Sequence, residues 1–250
     1  MKIALTFDIE RDLPQVLNTF NGITKGIPKI LNLLEKFDIK ATFFCTGRVA
    51  HNYASYIRSI ESNGHEIACH GWNHERLTHL DIEKNYELIK ESKLLLEETC
   101  ENSQVIGFRA PYLSTSGNIF EILQRLGFEY DSSIISFKKA RELEKKYDIK
   151  EFVPSKKSGY LRFGLSNRHL ISPKSQNNVI VLYFHPWEFL NMRELILKRT
   201  SQLKFIKNLL FRPDRWLNTG LPFKLKLCDL IDFILFKKGE FVTLKQICSE

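Results

Sequence analysis

Apolar and polar positions alternate along this chain in two periods. The short runs "KIALTF" (2–7), "ATFFC" (41–45), "HEIACH" (65–70) and "VIGFRAP" (105–111) have the apolar content of strands buried on both faces. Between them lie segments of helical period. "GIPKILNLLEKF" carries Ile27, Ile30, Leu31, Leu34 and Phe37 on one face. "YASYIRSIESNG" predicts a helix stopped by Gly64, and the long segment from Thr78 to Cys100 predicts another, with Thr78 three residues before Asp81 as its N-cap arrangement. "GNIFEILQRLGF" predicts a helix closing at Gly127, "VIVLYFHP" (179–186) is the most apolar strand, and "EFVTL" (240–244) is a last one.

Strand and helix in repeated alternation predict parallel strands joined by crossover helices, hence an α/β barrel or doubly wound sheet. Two stretches resist. Residues 137–158 are charged and read as a surface excursion. Residues 192–238 hold two apolar-periodic stretches interrupted by "RPDRWLNTGLP". No repeat or linker divides the 250 residues, so a single domain is expected over 1–250, with a core at about 3–190 and C-terminal helices and a closing strand at 191–250.

Composition changes this picture little. Hydrophobic residues make up 43% and charged residues 26%, as in an ordinary globular chain; the 19 phenylalanines are dispersed and read as core. The five cysteines show no CxxC spacing, which argues against a disulfide framework or zinc ribbon and for a reducing compartment. With no leader-like N-terminus and no long apolar run, a cytoplasmic location is expected, at the inner membrane face if the basic segment binds there. The net charge of +8 draws the protein toward anionic partners. Nine Lys or Arg between 192 and 226, interleaved with Phe205, Leu209, Leu210, Phe211 and Trp216, read first as a solvated helix face, with peripheral binding to an anionic membrane as the alternative. No nucleic-acid motif is present.

The candidate chemistry gathers where strands end, the edge at which parallel α/β folds build sites. Asp8 and Glu10 end the first strand on one side of it. His70 and His74, in "HGWNH", follow the third. Spaced as they are, both can point at one ion from one face of a helical turn, and a carboxylate would complete a His₂–carboxylate set with positions left open. Arg109 ends "VIGF", Asp131 follows "FEY", and His185 ends "VIVLYF". A guanidinium beside a carboxylate would hold it ionised, and a histidine at a strand end could deliver a proton. His51, His65, His79 and His169 lack a partner pattern and read as structural.

The ordered set "TFDIE", "HGWNH", "GFRAPY", "YDSS" and "YFHPWE" resembles the polysaccharide deacetylase superfamily, carbohydrate esterase family four with its NodB homology domain. The resemblance spans about residues 3–190, with "GEFVTL" resembling the closing strand. It implies a distorted (β/α) barrel and a divalent ion, with zinc favoured over iron, cobalt, nickel or manganese. It also implies hydrolytic removal of N-acetyl groups from an amino sugar in a glycan or glycan precursor. By position, His70 and His74 resemble the metal pair, Asp8 the catalytic base, Arg109 the residue orienting that base, and His185 the general acid. Asp131 resembles the acid supporting that histidine, and Tyr112 the donor of an N–H to the oxyanion.

The first motif departs from the usual adjacent acids, since Ile9 separates Asp8 from Glu10. Glu10 is assigned to metal and Asp8 to base; the reverse, or Asp8 in both roles, stays open. "YDSS" lacks the aromatics frequent in that motif, so Trp72, Tyr112 and Trp187 are expected to line the groove. The alternative activity is a related C–N hydrolysis, of a cyclic amide or of a formyl group on a lipid-linked sugar.

Overall fold

The computed structural model describes residues 1–13, 17–101, 104–115, 117–163, 171, 179–199 and 213–250. His169 and residues 200–212 of the basic segment lie outside them. Eight strands are found among the described residues, in chain order: β1 (Lys2–Ile9), β2 (Thr42–Cys45), β3 (Glu66–Cys69), β4 (Gly107–Phe108), β5 (Tyr130–Asp131), β6 (Lys150–Glu151), β7 (Val179–Phe184) and β8 (Glu240–Phe241). Seven of them lie in the order β6-β5-β4-β3-β2-β1-β7, every neighbouring pair parallel, and β8 adds to the first residues of β1. A parallel bridge from Pro154, just past β6, to Val181 in β7 brings the two ends of this sheet together. The result is a distorted (β/α) barrel, as the resemblance implies.

Eight helices are described: α1 (Ile27–Lys36), α2 (Gly47–Ser62), α3 (Ile82–Thr99), α4 (Ile119–Arg125), α5 (Phe137–Lys146), α6 (Met192–Arg199), α7 (Leu221–Phe236) and α8 (Leu244–Cys248). Helix α1 starts with Pro28 in its first turn and buries Ile27, Ile30, Leu33 and Leu34. Helix α2 begins earlier than its periodicity predicts, directly after β2, because the Gly47 N–H finds the Gly71 carbonyl at 2.9 Å and Ser92 Oγ at 3.0 Å. A kink at Tyr53 marks where the regular pattern begins. Helix α3 starts later than predicted: Asp81, not Thr78, is the N-cap, accepting from the Lys84 N–H at 2.7 Å. The charged stretch 137–158 holds α5 and β6, whose two residues are too few to carry a strand pattern. Among the described residues no helix is long and apolar enough to cross a membrane.

The pleat sorts the side chains of β1 into two cores. Ile3, Leu5, Phe7 and Ile9 join the large cluster beneath the helices. Ala4 joins Phe44, Ala68, Tyr130, Phe152 and Val181 inside the barrel. Gly107 is required there: a Cβ on it would lie 2.0 Å from the Tyr130 ring. The barrel floor is polar but satisfied. The buried Glu66 carboxylate accepts from Tyr130 Oη at 2.6 Å, Thr42 Oγ1 at 2.7 Å and the Lys245 N–H at 2.9 Å, tying α8 across the N-terminal ends of the strands. Thr243 and Gln246 form a capping box at the start of α8. With that end closed, the opposite end of the barrel is left for chemistry.

Candidate active site

Continuing the inward face of β1 past Ala4 gives Thr6, Asp8 and Glu10. The two acids reach a cavity of about 280 Å³ at the C-terminal ends of the strands. Arg109, directly after β4, is fully buried beneath it. Its guanidinium donates to Asp8 Oδ1 at 2.7 Å, Thr6 Oγ1 at 2.8 Å, the Ser132 carbonyl at 3.0 Å and Ser132 Oγ at 2.8 Å, over the face of Phe44 at 4.0 Å. The planar fork thus holds Asp8 in one orientation. Burial pushes the Asp8 carboxyl up, but Arg109, with His70 and His185 behind it, outweighs burial and holds Asp8 below the ordinary carboxylate range.

Glu10, His70 and His74 form a second cluster. One ligating atom from each lies within 4.8 Å of the others, and all three residues are buried. His70 Nδ1 lies 2.7 Å from the Arg109 carbonyl, which can only accept, so the ring proton sits there and the Nε2 lone pair faces Glu10 Oε2 at 3.6 Å. His74 Nε2 contacts the same oxygen. Glu10 Oε2 is nevertheless buried without a hydrogen bond of good geometry. A buried carboxylate oxygen facing two imidazole nitrogens, unsatisfied as it stands, is what a divalent ion would satisfy, and the donor set fits one. Burial raises the Glu10 carboxyl, yet the two imidazoles more than reverse this and hold it far below its ordinary value.

The loop carrying this pair is not the helical turn that the spacing suggests. Residues after β3 bend, with Gly71 at φ +72° and His74 at φ +61°, and this left-handed step turns the second imidazole back toward the first. The rings are 5.3 Å apart. Tyr112 is also left-handed, at φ +61°, and its ring packs 4.2 Å from that of His74. Its N–H has no acceptor among the described residues. Such strain clusters where a site over-determines the backbone.

His185 faces the carboxylates from the end of β7. Its Nε2 lies 4.0 Å from Asp8 Oδ2 and 3.9 Å from Glu10 Oε1, and its Nδ1 lies 3.4 Å from Glu188 Oε1. Burial lowers its pKa, but Glu188, Glu10 and Asp8 together raise it above the usual histidine value. Trp187 stacks on the ring at 5.2 Å.

Asp8, Glu10, His70, His74, Tyr112, His185 and Trp187 therefore line one cavity, with Arg109 behind them. Two expectations are corrected. Trp72 does not line it; its ring lies against Gly47 at the start of α2, where a Cβ would come within 2.5 Å. Asp131 does not touch His185. It accepts from Ser133 Oγ at 2.7 Å, and Ser133 Oγ in turn accepts the Ala110 N–H at 2.8 Å, so Asp131 braces the Arg109 loop. Burial raises the Asp131 carboxyl; burial and then Asp131 push that of its neighbour Glu151 well up. The carboxylate beside His185 is Glu188, three residues on, brought back by the turn that Pro186 opens. Its place in "HPWE" was the available signal. Tyr183, two residues before His185 on the strand, also lines the cavity, as do Arg162 and Arg215, which no sequence pattern marks.

A family model described as polysaccharide deacetylase matches residues 1–130. A peptidoglycan deacetylase of Helicobacter pylori is 28% identical over 110 residues, covering 44% of this chain and 37% of that one. A chitooligosaccharide deacetylase of Azorhizobium caulinodans is 32% identical over 100 residues, covering 40% and 48%. The matched regions thus span between a third and a half of those relatives' lengths. Among solved structures, a CE4-family pseudoenzyme from Bacillus anthracis superposes with a TM-score of 0.60 at 13% identity, covering 99% of this chain and 65% of that one. A peptidoglycan deacetylase from Bacillus subtilis gives 0.55 at 15%, covering 98% and 88%. These structural likenesses speak for the fold, and the sequence match covers β1 to β4 and the first residue of β5, with most of the cavity-lining motifs: the chain belongs to the polysaccharide deacetylase family.

Proposed function

We propose that this protein is a divalent-metal-dependent hydrolase that removes N-acetyl groups from an amino sugar in a glycan or glycan precursor. One observation carries the reading: a buried Glu10–His70–His74 cluster beside an Asp8 already oriented by Arg109, with His185 opposite. Because a structural neighbour is a pseudoenzyme, the fold alone does not license activity; these side chains carry it.

Glu10, His70 and His74 would hold the ion, which supplies Lewis acidity to the amide carbonyl and to a water. Asp8, ionised and held at Oδ1 by Arg109 Nη1, is placed to accept the water's proton. His185, its proton retained by Glu188 and the acids, is placed to protonate the departing amine. The Tyr112 N–H is the candidate donor to the oxyanion.

The test is acetate release from N-acetylglucosamine oligomers together with metal analysis. Chelator-treated protein should be inactive and recover with zinc. Glu10→Gln should lose metal. Asp8→Asn should keep metal and lose about 10²- to 10⁴-fold in rate. Wild-type rates from both the stripped protein and Asp8→Asn would defeat the proposal. A parallel panel of small cyclic imides and an N-formyl sugar would redirect it if only those were hydrolysed.

A further inference from the structure

The cavity has a basic wall that the roles above leave unused. Arg162, in the short helical turn Ser158–Phe163, is buried, and its Nε and Nη1 lack hydrogen-bond partners of good geometry. Glu188 Oε1 lies 3.2 Å from Nη1, and the same oxygen lies 3.4 Å from His185 Nδ1. One carboxylate oxygen is thus divided between a guanidinium and an imidazole. The Arg162 backbone is held from behind: its carbonyl accepts from Asn218 Nδ2, and from Lys226 Nζ at 3.4 Å. Its guanidinium is 5.3 Å from the centre of the Trp187 ring. Arg215 lines the same cavity.

A guanidinium offers five donors in a planar fork. Among the described residues, one shared carboxylate oxygen leaves Nε and Nη1 of the buried Arg162 without a well-formed hydrogen bond, and buried donors in that condition are costly unless a ligand completes them.

We infer that Arg162 is a specificity-determining residue whose guanidinium binds an oxyanion on the substrate, a phosphate or a carboxylate carried by the sugar unit in the cavity or by the one beside it. The inference deepens the deacetylase reading and rests on it. Through Glu188 Oε1, Arg162 and His185 are separated by two short polar contacts, so the anion would sit next to the site of amine departure.

The experiment compares kcat/KM for an N-acetylhexosamine oligomer, an N-acetylhexosamine 1-phosphate and an N-acetylhexosamine bearing a carboxylate ether. It uses the zinc-loaded wild type, Arg162→Gln and Arg162→Lys. A charge-assisted hydrogen bond to the anion predicts an anionic-to-neutral ratio of about 10 to 100 in the wild type, near one in Arg162→Gln and intermediate in Arg162→Lys. The arm with the higher ratio names the anion. A wild-type ratio near one in both arms, or the same ratio in wild type and Arg162→Gln, would overturn the inference and leave Arg162 as a brace for Glu188. If the wild type hydrolyses none of the three, the deacetylase reading is what has failed. Calorimetric titration of the zinc-loaded proteins with inorganic phosphate then decides the anion site. Binding about tenfold or more weaker in Arg162→Gln supports it, and equal binding overturns it.

Discussion

Replacing Arg109 by methionine isolates what the ion pair under the cavity contributes. Arg109 and Asp8 are both buried, at 0% and 4% exposure, so water cannot take over for the missing partner. Removing one member of a buried pair strands the other charge, at a cost of about 3–5 kcal/mol. Methionine roughly fills the volume, so a cavity adds little. The hydroxyls of Thr6 and Ser132 keep their own acceptors, the Leu182 carbonyl at 3.0 Å and the Phe152 carbonyl at 2.7 Å, so most of the loss belongs to Asp8. In metal-free protein, equilibrium urea unfolding at pH 7 should show Arg109→Met destabilised by that amount. In a chain of this size this corresponds to a fall of roughly 6–20 °C in Tm. Adding Asp8→Asn removes the stranded charge and should return at least about 2 kcal/mol, while Asp8→Asn alone strands the Arg109 guanidinium and is itself destabilising. This non-additivity is the signature of direct contact. A loss under about 1 kcal/mol for Arg109→Met, or a double variant no more stable than the single one, would refute the argument.

Three further outcomes follow from other parts of the fold. Burial, with Lys40 nearby, lowers the His65 pKa to about 4 from 6.5, so the unfolded chain takes up a proton first as pH falls. Stability tied to neutral His65 is whole above pH 6.5 and is lost between there and pH 4, on the order of 3 kcal/mol, and His65→Leu should flatten that part of the stability–pH curve. An unchanged slope would count against it. Gly47→Ala should cost about 1–3 kcal/mol in urea, since its Cβ would meet the Trp72 ring at 2.5 Å and Ser92 Oγ at 2.6 Å; a neutral effect would mean the Trp72 loop moves freely. Glu66→Leu should free α8, with hydrogen exchange at 244–248 rising while α1 stays protected, because Lys245 N–H and Tyr130 Oη lose their shared acceptor. Equal protection in the variant would show that the capping box suffices.

How far the sequence could be read depended on segment length. β1, β2, β3 and β7, of four to eight residues, carry enough apolar positions to declare themselves, as does α1. β4, β5, β6 and β8 have two residues each; "VIGF", "FEY" and "EFVTL" marked three of them, while β6 carried no pattern of its own and is placed by its neighbours. Caps moved the helix starts: Asp81 outcompeted Thr78, and Gly47 drew α2 up to the end of β2. The chemistry was readable at strand ends because the pleat and the parallel topology bring such positions to one rim, which is why Asp8, Glu10, His70, His74, Arg109 and His185 are assembled there.

Asp131 and Glu188 show where that logic stops. Both acids are buried near strand ends, and the one close to His185 along the chain, in "HPWE", is the one close to it in space. In the barrel, β5 reaches β7 by way of β6 and the Pro154 bridge, two strand spacings or roughly 10 Å, beyond the reach of a short aspartate side chain. Glu188 needs no such reach, because Pro186 opens a single helical turn after β7 that folds the third residue back over the first. Asp131 instead meets Ser133 on its own loop and, through it, the Ala110 N–H. The two carboxylates thus serve opposite walls of one cavity, one bracing the loop that carries Arg109 and the other facing the imidazole opposite it. A strand-end rule finds the rim; only the closure of the sheet decides which residues across it can touch.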